Sequence, residues 1–144
     1  STANQDVTDH RFERRGLLHC EVQLPEFDRP VHCVCVHLGL MAGSRRRQMM
    51  ALAERMEQLA PGNAPLIIAG DFNGSATDIL TAAGLRRATP IVDTYDGKDG
   101  RQALDQVWIT TGLEVRGHTL VPSGTGSDHS AWVVNLTILD PKAV

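Results

Sequence analysis

The chain has 144 residues, of which 42% are hydrophobic and 22% charged, a composition typical of one globular domain. Its formal net charge of −3 at pH 7 argues against indiscriminate binding to nucleic-acid phosphates, which depends on clustered Lys and Arg. The odd number of cysteines, three, and the lack of an apolar run near the roughly 20 residues of a membrane span predict a reduced, cytoplasmic protein without a transmembrane segment.

Apolar runs alternate with turn signals along the chain and predict about six strands and two helices. The strands are expected at 17–24, 31–38, 66–70, 105–109, 116–121 and 131–139, and the helices at 44–60 and 75–84. Residues 1–8 are predicted to be disordered or exchanged, because the first five have no such pattern. The alternation of strands and helices predicts a single α/β domain.

Polar, ionisable side chains lie where four of the predicted strands begin or end. Taken singly, each has an ordinary structural explanation, such as a turn, a loop cap or a hydrogen-bonded core histidine. Strand ends nevertheless collect active-site residues, and carboxylate and amide oxygens suit a hard divalent cation while histidines supply proton donors or bases. Their joint placement therefore favours hydrolysis of phosphate esters. The set consists of His37, Asp71, Asn73, Asp105, Asp128 and His129.

Two other sites can be considered around the strand at 31–38. His32, Cys33, Cys35 and His37 are residue types that bind zinc, but alternating strand residues point to opposite faces, so the four cannot converge on one ion. Cys33 as a catalytic thiol lacks a nearby base that the sequence fixes. Both hypotheses are weaker than the one based on strand ends.

Four short motifs, in this order, resemble the later motifs of the endonuclease/exonuclease/phosphatase superfamily. They are Val36-His37-Leu38, Gly70-Asp71-Phe72-Asn73, Leu104-Asp105-Gln106-Val107-Trp108 and Ser127-Asp128-His129. The segments 14–20 and 35–40 look like those of small bacterial members. The resemblance covers nearly the whole chain. It implies a fold of the α/β (α+β) class, a two-layer β-sandwich flanked by helices, with the site where the two sheets meet.

The resemblance also implies a phosphoesterase that hydrolyses phosphodiesters or phosphomonoesters with Mg²⁺ or Mn²⁺. By the family pattern, Asp71 would position or deprotonate the attacking water and would also bind metal. Asn73 would contact phosphate or metal, and Asp128 would help to bind the metal.

The remaining roles implied by the resemblance fall to two histidines and one acid. His129 would contact the scissile phosphate and would be held by Asp105, while His37 would donate to a phosphate oxygen. The expected substrate is a phosphate ester of a nucleic acid, a phospholipid headgroup or a small molecule.

The earlier motifs of the family have no counterpart in this sequence. An Asn near the end of the first strand and a Gln-Glu pair, whose Glu is a main metal ligand, are both missing before His37. Residues 1–144 are therefore expected to form the C-terminal half of the sandwich, without the N-terminal sheet, and to be weak or inactive alone. Such a half predicts a homodimer or pairing with a missing N-terminal half. The alternative is a non-catalytic half-fold that acts as an oligomerisation or interaction module.

Overall fold

A computed structural model describes residues 1–8, 15–75 and 77–139 of the chain. Its strands are β1 (Thr2–Asp6), β2 (Gly16–Val22), β3 (Val31–His37), β4 (Leu66–Asp71), β5 (Arg86–Arg87), β6 (Tyr95–Gly97), β7 (Gly100–Gln102), β8 (Asp105–Ile109), β9 (Leu113–Val121) and β10 (Ala131–Ile138). Its helices are α1 (Ala42–Glu54), α2 (Met56–Leu59) and α3 (Thr77–Ala82), with a 3₁₀ turn at Pro61–Asn63. The predicted mixed α/β class is confirmed.

A six-stranded sheet with the order β1-β2-β3-β4-β8-β5 forms the centre of the fold. Strands β3 and β4 are parallel, and the other neighbouring pairs are antiparallel. The helices cover one face, where Val34 and Ile68 of the sheet join Leu52 of α1 and Leu80 of α3 in the main core. These four side chains are at most 2% exposed, so the helices close the centre of this face, whereas Glu21 at its β2 end is exposed.

The opposite face of the sheet is covered over part of its width. The β9–β10 hairpin packs there, and its Val134 and Leu136 join a second core with Ile67 and Ile109 of the sheet. Farther along the same face, Leu18 of β2 remains 46% exposed. Within the described residues, the second layer of the sandwich thus consists of this hairpin, and it leaves the β2 and β3 side open.

The longer predicted elements are found close to their expected positions, with two corrections among them. The helix expected at 44–60 begins earlier, at Ala42, and ends at Glu54, because Arg55 interrupts it before α2. The strand expected at 116–121 begins at Leu113, where the chain turns back to pack on the sheet. The second predicted helix, 75–84, includes Ala76, and the segment 14–20 that looks like small bacterial family members includes Arg14. Both residues lie outside the described ranges.

Four of the strands were missed by the prediction. Strands β5, β6 and β7 have only two or three residues each, too few for an alternating pattern to register. The expectation of disorder at 1–8 is wrong for Thr2–Asp6, which pair with β2 as an edge strand. That strand is polar, so its backbone pairing rather than an apolar pattern defines it.

None of the helices in the described part of the chain is long and apolar enough to cross a membrane. The longest, α1, has 13 residues and carries three arginines near its start.

Candidate active site

Three of the residues singled out by the sequence form one row across the sheet. His37 lies opposite Asp71 in the parallel pair β3–β4, and Asp71 lies opposite Asp105 in the antiparallel pair β4–β8. Residues in register on neighbouring strands project from the same face. This is the face that bears the β9–β10 hairpin. His37 Nε2 is 3.5 Å from Asp71 Oδ2, so the row brings an imidazole and two carboxylates together at one sheet edge.

The backbone around Asp71 is fixed by close strand packing and a tight turn. Gly70 has φ of +142°, and a Cβ placed there would lie 2.0 Å from the carbonyl oxygen of Val36, so only glycine lets β3 and β4 approach in this way. After the strand, Asn73 has φ of +50° and its backbone N–H donates to Asp71 Oδ1 at 2.8 Å. The Asn73 side-chain nitrogen donates to the Leu38 carbonyl at 2.7 Å. The turn therefore orients both side chains.

His129 and Asp105 form a hydrogen-bonded pair beside this row. His129 Nδ1 lies 2.7 Å from Asp105 Oδ2, and the two side chains are 29% and 22% exposed. Thr94 donates from Oγ1 to the same carboxylate oxygen at 2.7 Å and accepts the backbone N–H of Asp105 at 2.9 Å. Because Nδ1 is engaged, Nε2 is the nitrogen that His129 can offer to another group.

The charges around His129 favour its protonated form. Partial burial opposes charging, but the hydrogen bond and negative charge of Asp105, helped by the charges of Asp71 and Asp128, outweigh it and raise the pKa of His129 above its ordinary value. The imidazole is therefore better suited to donate a proton or hydrogen bond than to accept one.

The loop that carries His129 is attached to Thr94 and to β6, which follows it. Ser130 N–H donates to the Thr94 carbonyl at 2.7 Å, and Asp96 N–H donates to the Asp128 carbonyl at 2.9 Å. The ring of Tyr95 lies 5.0 Å from that of His129, centroid to centroid. Asp128 itself is exposed, with its charge close enough to act on His129.

The six sequence-predicted residues therefore lie around one end of β3, β4 and β8. Two further residues that support the site were missed. Thr94 stands in a stretch with no element pattern, so nothing in the sequence marks its contact with Asp105. Gln106 is buried next to Asp105, donates to the Gly74 carbonyl at 2.8 Å and accepts from the Trp108 indole at 3.0 Å. A buried glutamine in an apolar strand is a signal, but it does not reveal the partner.

The oxygen donors at this edge fit a hard divalent cation that keeps part of its water. Asp71 and Asp128 offer carboxylates, and Asn73 retains its amide oxygen because its nitrogen is committed to Leu38. Mg²⁺ in proteins is commonly held by one or two carboxylates plus waters and substrate phosphates. In the described part of the chain, the three His, Cys, Asp or Glu side chains whose ligand atoms lie close together are His19, Glu21 and His32, which are not at this edge. The candidate active site therefore does not surround a metal ion with protein ligands on all sides.

Residues 2–129 match the family model of the endonuclease/exonuclease/phosphatase family. The match covers most of the chain and includes the whole row of His37, Asp71 and Asp105 as well as the His129 loop. The chain therefore belongs to the endonuclease/exonuclease/phosphatase family, and the resemblance of its short motifs to this family is confirmed.

Individual relatives support the family and its fold. The uncharacterized protein YbhP of Escherichia coli is 41% identical over 70 residues, 49% of this chain and 27% of YbhP. A mannosyl-6-phosphatase of Bacteroides thetaiotaomicron has a TM-score of 0.78 and 16% identity, with 96% of this chain and 66% of that one covered. The human nocturnin catalytic domain with bound sulfate has a TM-score of 0.75 and 23% identity, covering 96% and 58%. The chain thus spans two thirds or less of the proteins that it matches.

Proposed function

We propose that this chain carries catalytic residues of a divalent-metal-dependent phosphoesterase, which cleaves a phosphodiester or a phosphomonoester. The observation that carries the proposal is the juxtaposition of the His129–Asp105 pair with the row of His37 and Asp71. Membership of a family named for nucleases and phosphatases supports the same class of chemistry. A phosphate centre needs donors for its non-bridging oxygens and an aligned water, and this edge offers both kinds of group.

The two histidines are proposed to bind the phosphoryl group, and His129 to neutralise part of its charge. His129, whose pKa is raised and whose Nδ1 is held by Asp105, presents Nε2 as a donor toward the scissile phosphate. His37, exposed at the end of β3, is placed to donate to a second phosphate oxygen. The charge-assisted hydrogen bond that a protonated His129 makes is stronger than a neutral one.

Asp71 is proposed to align the attacking water. One of its carboxylate oxygens, Oδ1, accepts the Asn73 N–H, which leaves Oδ2 facing the row. Asp71, Asn73 and Asp128 would hold Mg²⁺ or Mn²⁺, which supplies Lewis-acid stabilisation of charge on the phosphate when bound. With so few protein ligands here, activity of this chain alone is expected to be weak or nil.

The test is hydrolysis of bis(p-nitrophenyl) phosphate and of p-nitrophenyl phosphate with Mg²⁺, Mn²⁺ or chelator. The rates of this chain and of the complete gene product are compared with those of Asp71→Ala and His129→Ala in each. Loss of a proton-transfer or water-aligning group is expected to slow the reaction at least about a hundredfold. Glu54→Gln, an exposed change at the end of α1, serves as the matched control and should leave the rate unchanged.

A second candidate is the interaction module, which one observation favours. On the sheet face that carries the site, Leu18 and Val22 of β2 are 46% and 42% exposed, and Cys35 of β3 is exposed as well. Apolar residues grouped on one sheet face are typical of a surface that packs against another chain or segment. A homodimer or pairing with an N-terminal half is therefore part of the proposal.

The same rate measurements separate the two candidates. Metal-dependent hydrolysis that is lost in both site variants supports the phosphoesterase. If neither the chain nor the complete gene product cleaves either ester, the interaction module is favoured instead. Sedimentation velocity of this chain is expected to show a dimer formed through the exposed apolar face of the sheet. A chain that stays monomeric at all concentrations and binds no dye for apolar surfaces contradicts the proposed pairing.

A further inference from the structure

A second group of ionisable side chains lies at the other end of the sheet. His19 and Glu21 are on β2, and His32 is on β3 directly opposite Glu21. The candidate ligand atoms of these three residues lie within 4.8 Å of one another. His32 and His37 are separated by five residue steps of an extended strand, about 16 Å. The group is therefore distinct from the candidate active site.

The two imidazoles of this group face each other through nitrogen atoms. His19 Nε2 lies 2.9 Å from His32 Nδ1, and the ring planes are nearly parallel, with an interplanar angle of 18° and centroids 5.2 Å apart. His32 is 4% exposed, whereas His19 is partly exposed and Glu21 is exposed. A hydrogen bond between the two histidines accounts for this pair, and the Glu21 carboxylate beside it brings a third potential metal ligand.

The spacing of these atoms is close to that of a tetrahedral zinc site. Zn–N bonds of about 2.05 Å set the distance between two coordinated nitrogens at ~3.3 Å, so the two nitrogens need to separate by only ~0.4 Å. Because the nitrogens now point at each other, the rings must also turn so that both lone pairs meet at one ion. Both nitrogens must then present lone pairs. A neutral imidazole achieves this by moving its proton to its other ring nitrogen, so binding needs no net release of a proton by the pair.

The donor types favour zinc over the hard cations of the candidate active site. Imidazole nitrogens suit Zn²⁺, whereas Mg²⁺ prefers oxygen ligands. Two histidines and one glutamate are a recognised zinc ligand set that leaves the fourth position to water. Here Glu21, on the exposed side, would exchange its present hydrogen bond from the Ser1 hydroxyl, at 2.7 Å, for the metal.

We propose that His19, His32 and Glu21 form a Zn²⁺ site at the loop end of the β2–β3 hairpin, separate from the phosphoesterase site. The ion joins two strands whose connecting loop, 23–30, contains two prolines and no strand pairing. Its effect is to hold the hairpin together where backbone pairing ends, because the free energy of metal binding adds to the stability of the folded chain.

The test uses ZnSO₄ added to the metal-free chain, followed by isothermal titration calorimetry and by imidazole NMR. The resonances of His19 and His32 are expected to shift together at one equivalent of Zn²⁺. His19→Gln keeps a hydrogen-bonding group next to His32, and Glu21→Gln changes an exposed residue, so both variants should stay folded. Each is expected to weaken binding at least about tenfold, because even second-shell losses commonly cost that much.

The control is His118→Gln, since His118 is exposed on β9 and stacks on Trp132 away from this hairpin. It should bind zinc as the unaltered chain does. Zn²⁺ should also raise the melting temperature of the unaltered chain more than that of His19→Gln, whereas Mg²⁺, bound at the candidate active site, should raise the melting temperatures of the two proteins equally. Equal zinc affinity in all four proteins, no shift of His19 and His32 on titration, or a stabilisation by Mg²⁺ that is lost in His19→Gln would each overturn the proposal.

Discussion

Replacement of Thr94 by Val tests how the His129–Asp105 pair is held. The hydroxyl of Thr94 donates to Asp105 Oδ2 at 2.7 Å and accepts the backbone N–H groups of Asp105 at 2.9 Å and Leu104 at 3.2 Å. Valine has nearly the same shape, so the change removes three hydrogen bonds without creating a cavity. Thr94 is only 2% exposed, and water therefore cannot easily replace the lost hydroxyl.

The expected cost follows from the type of each bond. A hydrogen bond to a charged acceptor contributes about 1.5–3 kcal/mol, and a stranded buried N–H costs about 1–3 kcal/mol. The low ends of these ranges sum to about 3.5 kcal/mol for the three lost bonds. Because Asp105 is partly exposed and the Leu104 contact is long, both of which reduce the cost, we expect the free energy of unfolding to fall by about 2–4 kcal/mol. Asp105 also loses one of the contacts that orient it toward His129.

Urea unfolding of the Thr94→Val variant, followed by far-ultraviolet circular dichroism, measures this change. The matched control is Thr94→Ser, which keeps the hydroxyl and should lose less than about 1.5 kcal/mol for its missing methyl group. The slope against urea should be unchanged, so that the shift reports stability alone. If Val lowers stability by no more than Ser does, the hydroxyl does not support the site and the reasoning is refuted.

Two further predictions concern the same edge of the sheet. The pKa of His129 is raised in the folded chain. The stability that this histidine contributes is therefore fully present below its unfolded pKa and is lost as pH rises through its folded pKa. NMR titration should show a raised pKa of His129 in the native chain and a lower one in Asp105→Asn. Gly84→Ala should lower the free energy of unfolding by about 1–2 kcal/mol, because φ is +85° at Gly84 but nothing lies within 4 Å of the added Cβ. Gly70→Ala should cost several times more, because its Cβ would lie 2.0 Å from the Val36 carbonyl oxygen. Similar melting temperatures for the two variants would contradict this.

The sequence was most informative where strand periodicity and polar strand ends coincide. The apolar run at 66–70 predicts a buried strand, and Asp71 directly after it falls at the sheet edge whatever the details of packing. His37 and Asp105 follow the same logic on the neighbouring strands. Once the sheet order places β3, β4 and β8 side by side, register alone brings the three side chains into one row.

Contacts between loops that are distant in the sequence could not be predicted from strand periodicity. Thr94 reaches Asp105 across 11 positions of chain that contain two short strands, and neither strand is long enough to be recognised from its sequence. The position of His129 depends on the bond from Ser130 N–H to the Thr94 carbonyl, which a linear sequence does not reveal. Local propensity fixes elements, whereas the pairing of loops depends on where the whole sheet places them.

The proposed zinc site of His19, Glu21 and His32 also depends on contacts between strands that the linear sequence does not reveal, here at the opposite end of β3 from the candidate active site. Strand alternation correctly separates His32 from Cys33, because they point to opposite faces. What alternation cannot supply is the neighbour on the next strand. In register with β3, the odd-numbered residues of β2 lie on the face of His32, and this places Glu21 opposite it and His19 within hydrogen-bonding distance. A metal-ligand set in a sheet is therefore recognised from cross-strand register, and residue spacing along one strand is a poor guide to it.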